Sequence, residues 1–351
     1  MHLRDATGVV VVPVVASRYL TYQLDRNSIL RASLGKGFNE HLPLPFDPIF
    51  FITTAEQARV IHHHLQHIGT RSLTLAHPQL SIRRATMAKV IILMADYGHD
   101  PTETAVPYTA FKEAGFGVAF ATESGKTPSC DSRMLEGITQ KILGATQSTI
   151  QLYKAMASSA EFTKPLSWSA SGFSLAPYNL VFLPGGHEKS VRQIIDSAAV
   201  HALLIDYFPS TAKASAGGQA AAVGAVCHGV MVLSEARRKD GDGQSVLHGV
   251  TTTTLPARFE QVAFWGTRAF LGDYYKTYGA GSDDVEDSVR KAVGDPSHLK
   301  ISLSPSPFVV EDEKFNYISA RFPGDVPLMA EKMVKLIRDL TAGEPDRAGS
   351  A

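Results

Sequence analysis

Cys227 and His228 stand side by side in a run of small residues from 223 to 230. Within that run, Gly224 and Gly229 lack the Cβ atoms that would clash where a buried strand turns sharply into a helix. The pattern predicts a nucleophile elbow, which presents the thiol at the carboxyl edge of a sheet. Helix N-terminal amides at that edge favour a thiolate and bind an oxyanion. The alternative is a buried cysteine that acts as a small hydrophobe, and the adjacent histidine and glycines argue against it.

Glu103 follows the first apolar strand of the same part of the chain and has two interpretations. In the first, Asp100 is an N-cap, Pro101 takes the first helical position, and Glu103 completes a capping box. In the second, Glu103 lies at the ligand-binding edge of a parallel sheet, beside Cys227. A protonated carboxyl there would stabilise the thiolate and lower the pKa of the thiol below about 8.5. The sequence leaves both interpretations open.

Short apolar strands alternate with helical segments after Met87, which predicts an α/β fold with a parallel sheet and helices on both faces. The predicted strands are Val90–Ala95, Val118–Thr122, Leu180–Leu183, Ala221–Val226, Ile301–Leu303 and Tyr317–Ala320. The predicted helices are Thr102–Ala114, Val191–Tyr207, His228–Arg237 and Val326–Leu340. The stretch Glu123–Pro177 is long and rich in Ser, Thr and Lys, and we expect it to form an inserted helical flap near the site.

The first 86 residues differ from the rest, because they hold seven of the 13 histidines and are rich in arginine. We expect them to be an N-terminal extension, and the α/β domain to span residues 87–345. The extension has three interpretations: a mitochondrial transit peptide, a secretory signal, or a segment that the domain does not need, which we favour. The histidine triplet at 62–64 has no regularly spaced partner, so a solvated helix face is favoured over a metal site.

Composition excludes several classes of protein. Lysine plus arginine equals aspartate plus glutamate at 34 each, so no global charge favours nucleic acid or an anionic membrane. No apolar run approaches the roughly 20 residues needed to span a bilayer. With two cysteines, Cys130 and Cys227, there is no disulfide framework, and we expect a cytoplasmic protein. Cys130 has no adjacent histidine and is interpreted as incidental.

Three motifs occur in an order that resembles the ThiJ/PfpI superfamily. They are Glu-Thr-Ala-Val-Pro at 103–107, Leu-Pro-Gly-Gly-His at 183–187 and Ala-Val-Cys-His-Gly at 225–229. The resemblance spans about residues 87–340, and the inserted segment makes the heat-shock-type glyoxalase III branch the most similar. It implies a flavodoxin-like fold, related to class I glutamine amidotransferase domains, and a homodimer.

The resemblance also implies roles for individual residues. Cys227 would be the nucleophile, Glu103 the acidic partner of the thiol, and His228 the adjacent base. Gly185 and Gly186 would supply backbone amides that face the site.

In the most similar branch, an acidic residue some thirty positions after the elbow orients the histidine, which indicates Glu260 here. The alternative is a surface glutamate at a helix start. A glutamine amidotransferase would need a later His-x-Glu pair, which neither His248 nor His298 begins. Glu188 departs from the glycine that this branch commonly has after His187, which bears on the pocket's shape. We expect a group of aromatic residues to lie in the hydrophobic core rather than in the wall of a pocket: Trp265, Phe270, Tyr274, Tyr275 and Tyr278.

The resemblance implies a cofactor-free conversion of a small carbonyl substrate. A 2-oxoaldehyde such as methylglyoxal would become a 2-hydroxy acid, as in a D-lactate dehydratase of the glyoxalase III type, with no metal or nucleotide. Two alternatives belong to other classes. One is a stress-protective chaperone or redox sensor, and the other is a cysteine peptidase-like amide hydrolase.

Overall fold

The computed structural model of the chain describes residues 87–213, 220–238 and 243–342, and the backbone of residues 10–14, 18–24 and 30–34. The chain divides into two units between Leu80 and Ser81. Three antiparallel strands belong to the first unit: β1 (Val10–Val14), β2 (Arg18–Leu24) and β3 (Leu30–Leu34). Apart from these three strands, residues 1–86, including the histidine triplet, lie outside the described residues, so the interpretations of that segment stay predictions.

The second unit is built from short strands and helices in alternation. Its strands are β4 (Lys89–Leu93), β5 (Tyr97–His99), β6 (Gly117–Thr122), β7 (Ser129–Cys130), β8 (Leu166–Ser167), β9 (Leu180–Leu183), β10 (Ala222–Val226), β11 (Val309–Glu311) and β12 (Tyr317–Ala320). Its helices are α1 (Pro101–Glu113), α2 (Ser132–Leu135), α3 (Gly137–Leu143), α4 (Gln147–Ala157), α5 (Ala160–Thr163), α6 (Arg192–Ile195), α7 (Ala198–Tyr207), α8 (Gly229–Glu235), α9 (Ala257–Leu271), α10 (Val285–Val293) and α11 (Val326–Ala342).

Seven strands form one sheet in the order β11-β12-β10-β9-β4-β6-β8, and β5 pairs with β7 separately. Within the large sheet only β11 is antiparallel to its neighbour. Strands β9 and β10 are buried along their whole length, which explains their continuous apolar sequences. Helices α1, α8 and α11 pack on the sheet. The prediction of a flavodoxin-like parallel sheet flanked by helices is confirmed.

The strand order creates a switch point between β4 and β9. From β4 the chain moves outward to β6, and it then returns to the other side of β4 to form β9. Loops at the carboxyl ends of adjacent strands diverge at such a point and leave a crevice in which α/β proteins bind ligands. Glu103, Gly185 and Cys227 all follow the carboxyl ends of strands next to this crevice.

The predicted strand Ile301–Leu303 is wrong. This segment forms no sheet pairing, and the sheet edge is β11 instead. Arg321, which is fully buried, holds the segment by donating from its guanidinium to three backbone carbonyls. These acceptors are Ser302 at 2.6 Å, Ser304 at 3.0 Å and Ser306 at 2.9 Å. Because these carbonyls are satisfied by a side chain, the segment stays extended without a neighbouring strand.

The predicted helix Val191–Tyr207 is broken into a 3₁₀ turn at Lys189–Val191 and the helices α6 and α7. The side chain of Ser197 starts α7 by accepting a hydrogen bond from the amide of Val200 at 3.3 Å. The predicted insertion at Glu123–Pro177 contains four helices, α2 to α5, between the short strands β7 and β8. Within the described residues, every helix is too short or too polar to cross a membrane.

Candidate active site

Cys227 occupies a strained turn between β10 and α8. Its φ angle is 56°, and among the described residues it is the single non-glycine residue with a positive φ. This left-handed conformation costs about 1–2 kcal/mol for a residue with a side chain. The amide of Cys227 donates to the carbonyl of Ala320 at the end of β12, 3.1 Å away, which helps to hold the turn. The strain and its position at the sheet edge match a nucleophile elbow.

Two glycines let the neighbouring backbone approach this turn. A Cβ on Gly229 would overlap the carbonyl oxygen of Leu183, so the start of α8 can lie against the end of β9 only with glycine there. A Cβ on Gly185 would lie 2.7 Å from Oε2 of Glu103 and 2.8 Å from Cβ of Cys227. Gly185 therefore lies between the carboxyl and the thiol, in contact distance of both.

The Glu103 carboxyl is fully buried beside the thiol. Its Oε2 accepts a hydrogen bond from the amide of Gly185 at 3.0 Å, and within the described part of the chain its Oε1 has no hydrogen-bond partner. Glu103 does not complete a capping box, since the Asp100 amide donates to the Gly185 carbonyl instead. The Asp100 side chain does cap α1, accepting from the amides of Thr102 and Glu103. Of the two sequence-based interpretations, the geometry favours the one that places Glu103 beside Cys227.

Burial controls the protonation of this pair. It raises the pKa of Glu103 well above its usual value, and the charge of Asp100 acts in the same direction. Burial likewise raises the pKa of the Cys227 thiol well above its usual value, and a charged Glu103 raises it further. The backbone amide of His228 lowers it, but by less. The expected lowering of the thiol pKa is therefore wrong for this enclosed site, and burial favours the protonated forms of both groups.

His228 places its ring next to the thiol. Its Nδ1 is 3.4 Å from Sγ of Cys227. Burial lowers the pKa of His228 well below its usual value, so the ring is neutral at pH 7. Its Nε2 is buried, and none of the residues that the structure describes makes a hydrogen bond to it. A neutral ring with an unpaired nitrogen is able to accept or donate a proton during a reaction.

Glu260 lies near this group but is paired elsewhere. It is 3% exposed, so the alternative of a surface glutamate is wrong. Its Oε1 is 3.3 Å from Nζ of Lys276, and its Oε2 accepts from the amide of Val285 at 2.8 Å. Lys276 also pairs with Asp284. Burial raises the pKa of Glu260 to about 7, against the opposing effects of the Val285 amide and Lys276. Glu260 makes no hydrogen bond to His228 in this arrangement, and its role as an orienting group stays a prediction.

The backbone amides around the thiol have different partners. Gly185 is beside Cys227, but it donates its N–H to Glu103. Gly186 has a φ of 152°, and within the described ranges its N–H makes no hydrogen bond. The amide of His228 is directed at the thiol. An oxyanion formed next to Sγ would therefore find the amide of His228 rather than that of Gly185, and a role for the amide of Gly186 stays a prediction.

Two further histidines contribute to the site, and the sequence analysis assigned a role to neither. The ring of His187 lies with its centroid 5.4 Å from that of His228, and burial lowers its pKa to about 4. His99 accepts from the amide of Ala95 at Nε2, so its Nδ1 carries the proton and donates to the carbonyls of the 184–185 turn. The signal for His187 was its place in the Leu-Pro-Gly-Gly-His motif; His99 gave none.

Other predicted features find structural explanations. Glu188 caps the 3₁₀ turn at 189–191 through the amide of Ser190. Cys130 is buried with its Sγ 3.7 Å from Oγ1 of Thr104, and burial raises its pKa. The aromatic group divides: Tyr274 and Tyr275 are buried, whereas Trp265, Phe270 and Tyr278 are exposed. In the described residues, no group of three or more His, Cys, Asp or Glu side chains is arranged to hold a metal ion.

Comparisons with known proteins identify the family to which the chain belongs. The family described as ThiJ/PfpI family-like matches residues 94–299, which include all six predicted site residues. An uncharacterized Schizosaccharomyces pombe protein is 29% identical over 255 residues, spanning 73% of this chain and 86% of that protein. A second from the same organism is 23% identical over 272 residues, spanning 73% and 81%. The crystal structure of a protein designated APC35852 has a TM-score of 0.52 and 21% identity, covering 72% of this chain and 99% of that one. At this level of identity, the similarity between that protein and this chain concerns the fold alone.

Proposed function

Because the chain belongs to the ThiJ/PfpI family, we propose that it is a cysteine-dependent enzyme that converts small 2-oxoaldehydes into 2-hydroxy acids without a cofactor. Methylglyoxal would give lactate, the reaction of a glyoxalase III. The observation that carries the proposal is the strained Cys227 turn, with the Glu103 carboxyl buried on one side and His228 Nδ1 3.4 Å away on the other. This arrangement supplies a nucleophile and two proton carriers within one enclosed space.

The first step is addition of sulfur to the aldehyde. The Cys227 thiol attacks the aldehyde carbon, a C–S bond forms, and the C=O π electrons move onto oxygen. The neutral ring of His228, whose Nδ1 lies 3.4 Å from Sγ, takes the thiol proton, because burial favours the protonated form of the Glu103 carboxyl. The raised thiol pKa means that proton transfer accompanies attack, rather than a free thiolate waiting in the site. The amide of His228 would stabilise the oxyanion, which takes the proton from the His228 ring to give a hemithioacetal.

The second step moves a proton between the two carbons of the substrate. A base removes the proton from the carbon that carries sulfur, the electrons form an enediol, and the adjacent carbon is protonated. This internal redox change turns the hemithioacetal into a thioester of the 2-hydroxy acid. His228 suits the role of base, since its ring is neutral and its Nε2 is unpaired. Water then cleaves the thioester, which releases the acid and restores the thiol.

The enclosure of the site supports a small substrate. Cys227 and His228 are each 1% exposed, and Glu103 is fully buried. His187, whose ring lies 5.4 Å from that of His228, is partly exposed. Enclosure also disfavours a redox sensor, because peroxide reacts with thiolates and burial keeps this thiol protonated.

A lactate assay on the purified full chain tests the proposal. Wild type is incubated with methylglyoxal, and D- and L-lactate are measured separately. We expect D-lactate from wild type and from Cys130→Ser, which removes the second buried cysteine, and none from Cys227→Ala. Absence of lactate from wild type, with glyoxal likewise giving no glycolate, would contradict the proposal. Equal rates in wild type and Cys227→Ala would also contradict it.

A chaperone activity is a second candidate, and exposed apolar side chains on α9 favour it. These side chains are Val262 at 66%, Trp265 at 65% and Phe270 at 61% exposure. Exposed apolar surface binds unfolded clients without a covalent step. If this function is present, Cys227→Ala will still suppress aggregation of a heated client, whereas Trp265→Gln will suppress it less. A loss of suppression in Cys227→Ala but not in Trp265→Gln would exclude this surface.

A further inference from the structure

The segment Tyr274–Thr277, between α9 and α10, is fixed to three parts of the second unit. Tyr274 donates to the carboxylate of Asp131, in the insertion. Lys276 pairs with Glu260 of α9 and with Asp284. Thr277 donates through Oγ1 to the carbonyl of His187 at 2.9 Å. Because the side chains on both sides of it are held, the position of Tyr275 is fixed even though the segment is not helical.

Tyr275 is the exception in this segment, because its hydroxyl is buried and unpaired. The residue is 3% exposed, and among the residues that the structure describes nothing hydrogen-bonds its Oη. A buried hydroxyl without a partner costs about 1–3 kcal/mol. Phenylalanine would fill the same space without this penalty, so the hydroxyl is not explained by packing.

The ring of Tyr275 borders the candidate active site. Its centroid is 4.7 Å from that of His187, and His187 in turn lies 5.4 Å from His228. His228 also has an unpaired atom, Nε2. Two buried polar atoms without a hydrogen-bond partner thus belong to rings that both contact the ring of His187, beside the Cys227 turn. Such a grouping is what a site built to bind a polar ligand leaves behind when the ligand is absent.

We propose that Tyr275 is a substrate-binding residue, whose hydroxyl donates a hydrogen bond to the second oxygen of the substrate. This oxygen is carried by the carbon next to the one that Cys227 attacks. The inference rests on the proposed function and deepens it. It narrows the substrate class to aldehydes that carry a carbonyl or hydroxyl oxygen on the adjacent carbon, and it excludes simple aldehydes. Burial raises the pKa of Tyr275 to about 12, so the hydroxyl keeps its proton and acts as a donor at neutral pH.

Tyr275→Phe tests this role, because it removes one oxygen and keeps the ring. Tyr274→Phe is the matched control, since its hydroxyl bonds to Asp131 in the protein. We expect Tyr275→Phe to be as stable to urea as wild type or more so, and to lose about tenfold in kcat/KM for methylglyoxal. Tyr274→Phe should instead lose stability. An unchanged kcat/KM in Tyr275→Phe, with wild type active, would overturn the inference.

A binding measurement separates this inference from the proposed function. The rate of Cys227 alkylation by iodoacetamide is measured in wild type and Tyr275→Phe, with methylglyoxal or propionaldehyde added as protecting ligand. We expect Tyr275→Phe to need about tenfold more methylglyoxal for equal protection, and the same amount of propionaldehyde. This result would support the inference even if wild type made no lactate. Equal loss of protection by both aldehydes, or loss by neither, would contradict it.

Discussion

The Nδ1 atom of His228 lies 3.4 Å from the Sγ atom of Cys227, although the two residues are neighbours in the chain. Adjacent side chains normally diverge, and here the left-handed conformation of Cys227 brings them together. The turn that presents the thiol therefore also brings the imidazole beside it. Backbone strain and the placement of the imidazole beside the thiol have a common origin at this position.

The strain at Cys227 can be measured with two small substitutions. Cys227→Gly and Cys227→Ala both remove the sulfur, but glycine adopts a φ of 56° without the penalty that a Cβ brings. We expect the glycine variant to be more stable than the alanine variant by about 1 kcal/mol, and both to be inactive. Urea denaturation followed by circular dichroism gives the comparison. A less stable glycine variant would show that the turn is unstrained.

The Glu103 carboxyl should make stability depend on pH. Its pKa is raised in the folded chain, so the native state holds a proton that the unfolded chain releases above about 4.5. This contribution is complete below the unfolded pKa and is lost as pH rises toward the folded one, by up to about 1.4 kcal/mol per pH unit. We expect Glu103→Gln to gain stability relative to wild type as pH increases from 5 to 8. Urea midpoints across this range test it, and a constant difference would mean that the carboxyl is not shielded.

The thiol should be less acidic than a free cysteine. Burial and the charge of Glu103 raise the pKa of Cys227, so the rate of alkylation should have its inflection above about pH 8.5. Cys130→Ser provides a background with one thiol. In that background, Glu103→Gln should move the inflection downward, because it removes the neighbouring negative charge. Mass spectrometry of the alkylated chain measures the rates. An inflection below that of free cysteine would restore the expectation drawn from the sequence.

Gly185 and Gly266 should respond in opposite ways to alanine. A Cβ at Gly185 would meet Glu103 and Cys227 at under 3 Å, so Gly185→Ala should destabilise the fold by about 1–3 kcal/mol and abolish activity. Gly266 lies inside α9 and has open space around its Cβ position. Gly266→Ala should therefore stabilise the chain by about 0.5–1 kcal/mol and leave activity intact. If Gly185→Ala is tolerated like Gly266→Ala, the described approach of Gly185 to Glu103 and Cys227 is wrong.

Lys276 should contribute most to the stability of the fold at alkaline pH. Lys276→Met leaves Glu260 and Asp284 buried without their cation, which we expect to cost about 3 kcal/mol at pH 8. At pH 6 the penalty should be smaller, because Glu260, with a pKa of about 7, can take up a proton. The double variant Lys276→Met with Glu260→Gln should recover part of the loss at pH 8. Equal destabilisation at both pH values would show that Glu260 does not titrate in this range.

Strand order explains how much of the site can be predicted from the sequence. Strands β4, β9 and β10 are short, apolar and well bounded, and in a parallel sheet their carboxyl ends share one edge. The proximity of Glu103, Gly185 and Cys227 follows from this arrangement. Ile301–Leu303 is a comparable apolar run, but the buried guanidinium of Arg321 binds the carbonyls around it. A contact so distant in sequence leaves no local pattern.

The sequence does not predict which side chains of the site pair with one another or which of them water can reach. The spacing from the elbow indicates Glu260, but its pairing with Lys276 depends on an irregular segment after α9. The direction of the Cys227 pKa shift depends on how completely the surrounding elements exclude water, because burial outweighs the amide of His228 here. Residue types identify which groups meet, whereas the balance between burial and hydrogen bonding requires the packed structure.

The hydrogen bond from the Cys227 amide to the carbonyl of Ala320 also makes the turn depend on a strand that is translated later. The ribosome releases β10 well before β12, so the nascent chain carries the cysteine for some time without the strand that helps to hold its turn. Polypeptides that terminate before Tyr317 would contain every predicted site residue and still lack this hydrogen bond. The order of translation thus separates the synthesis of the site residues from the completion of the turn.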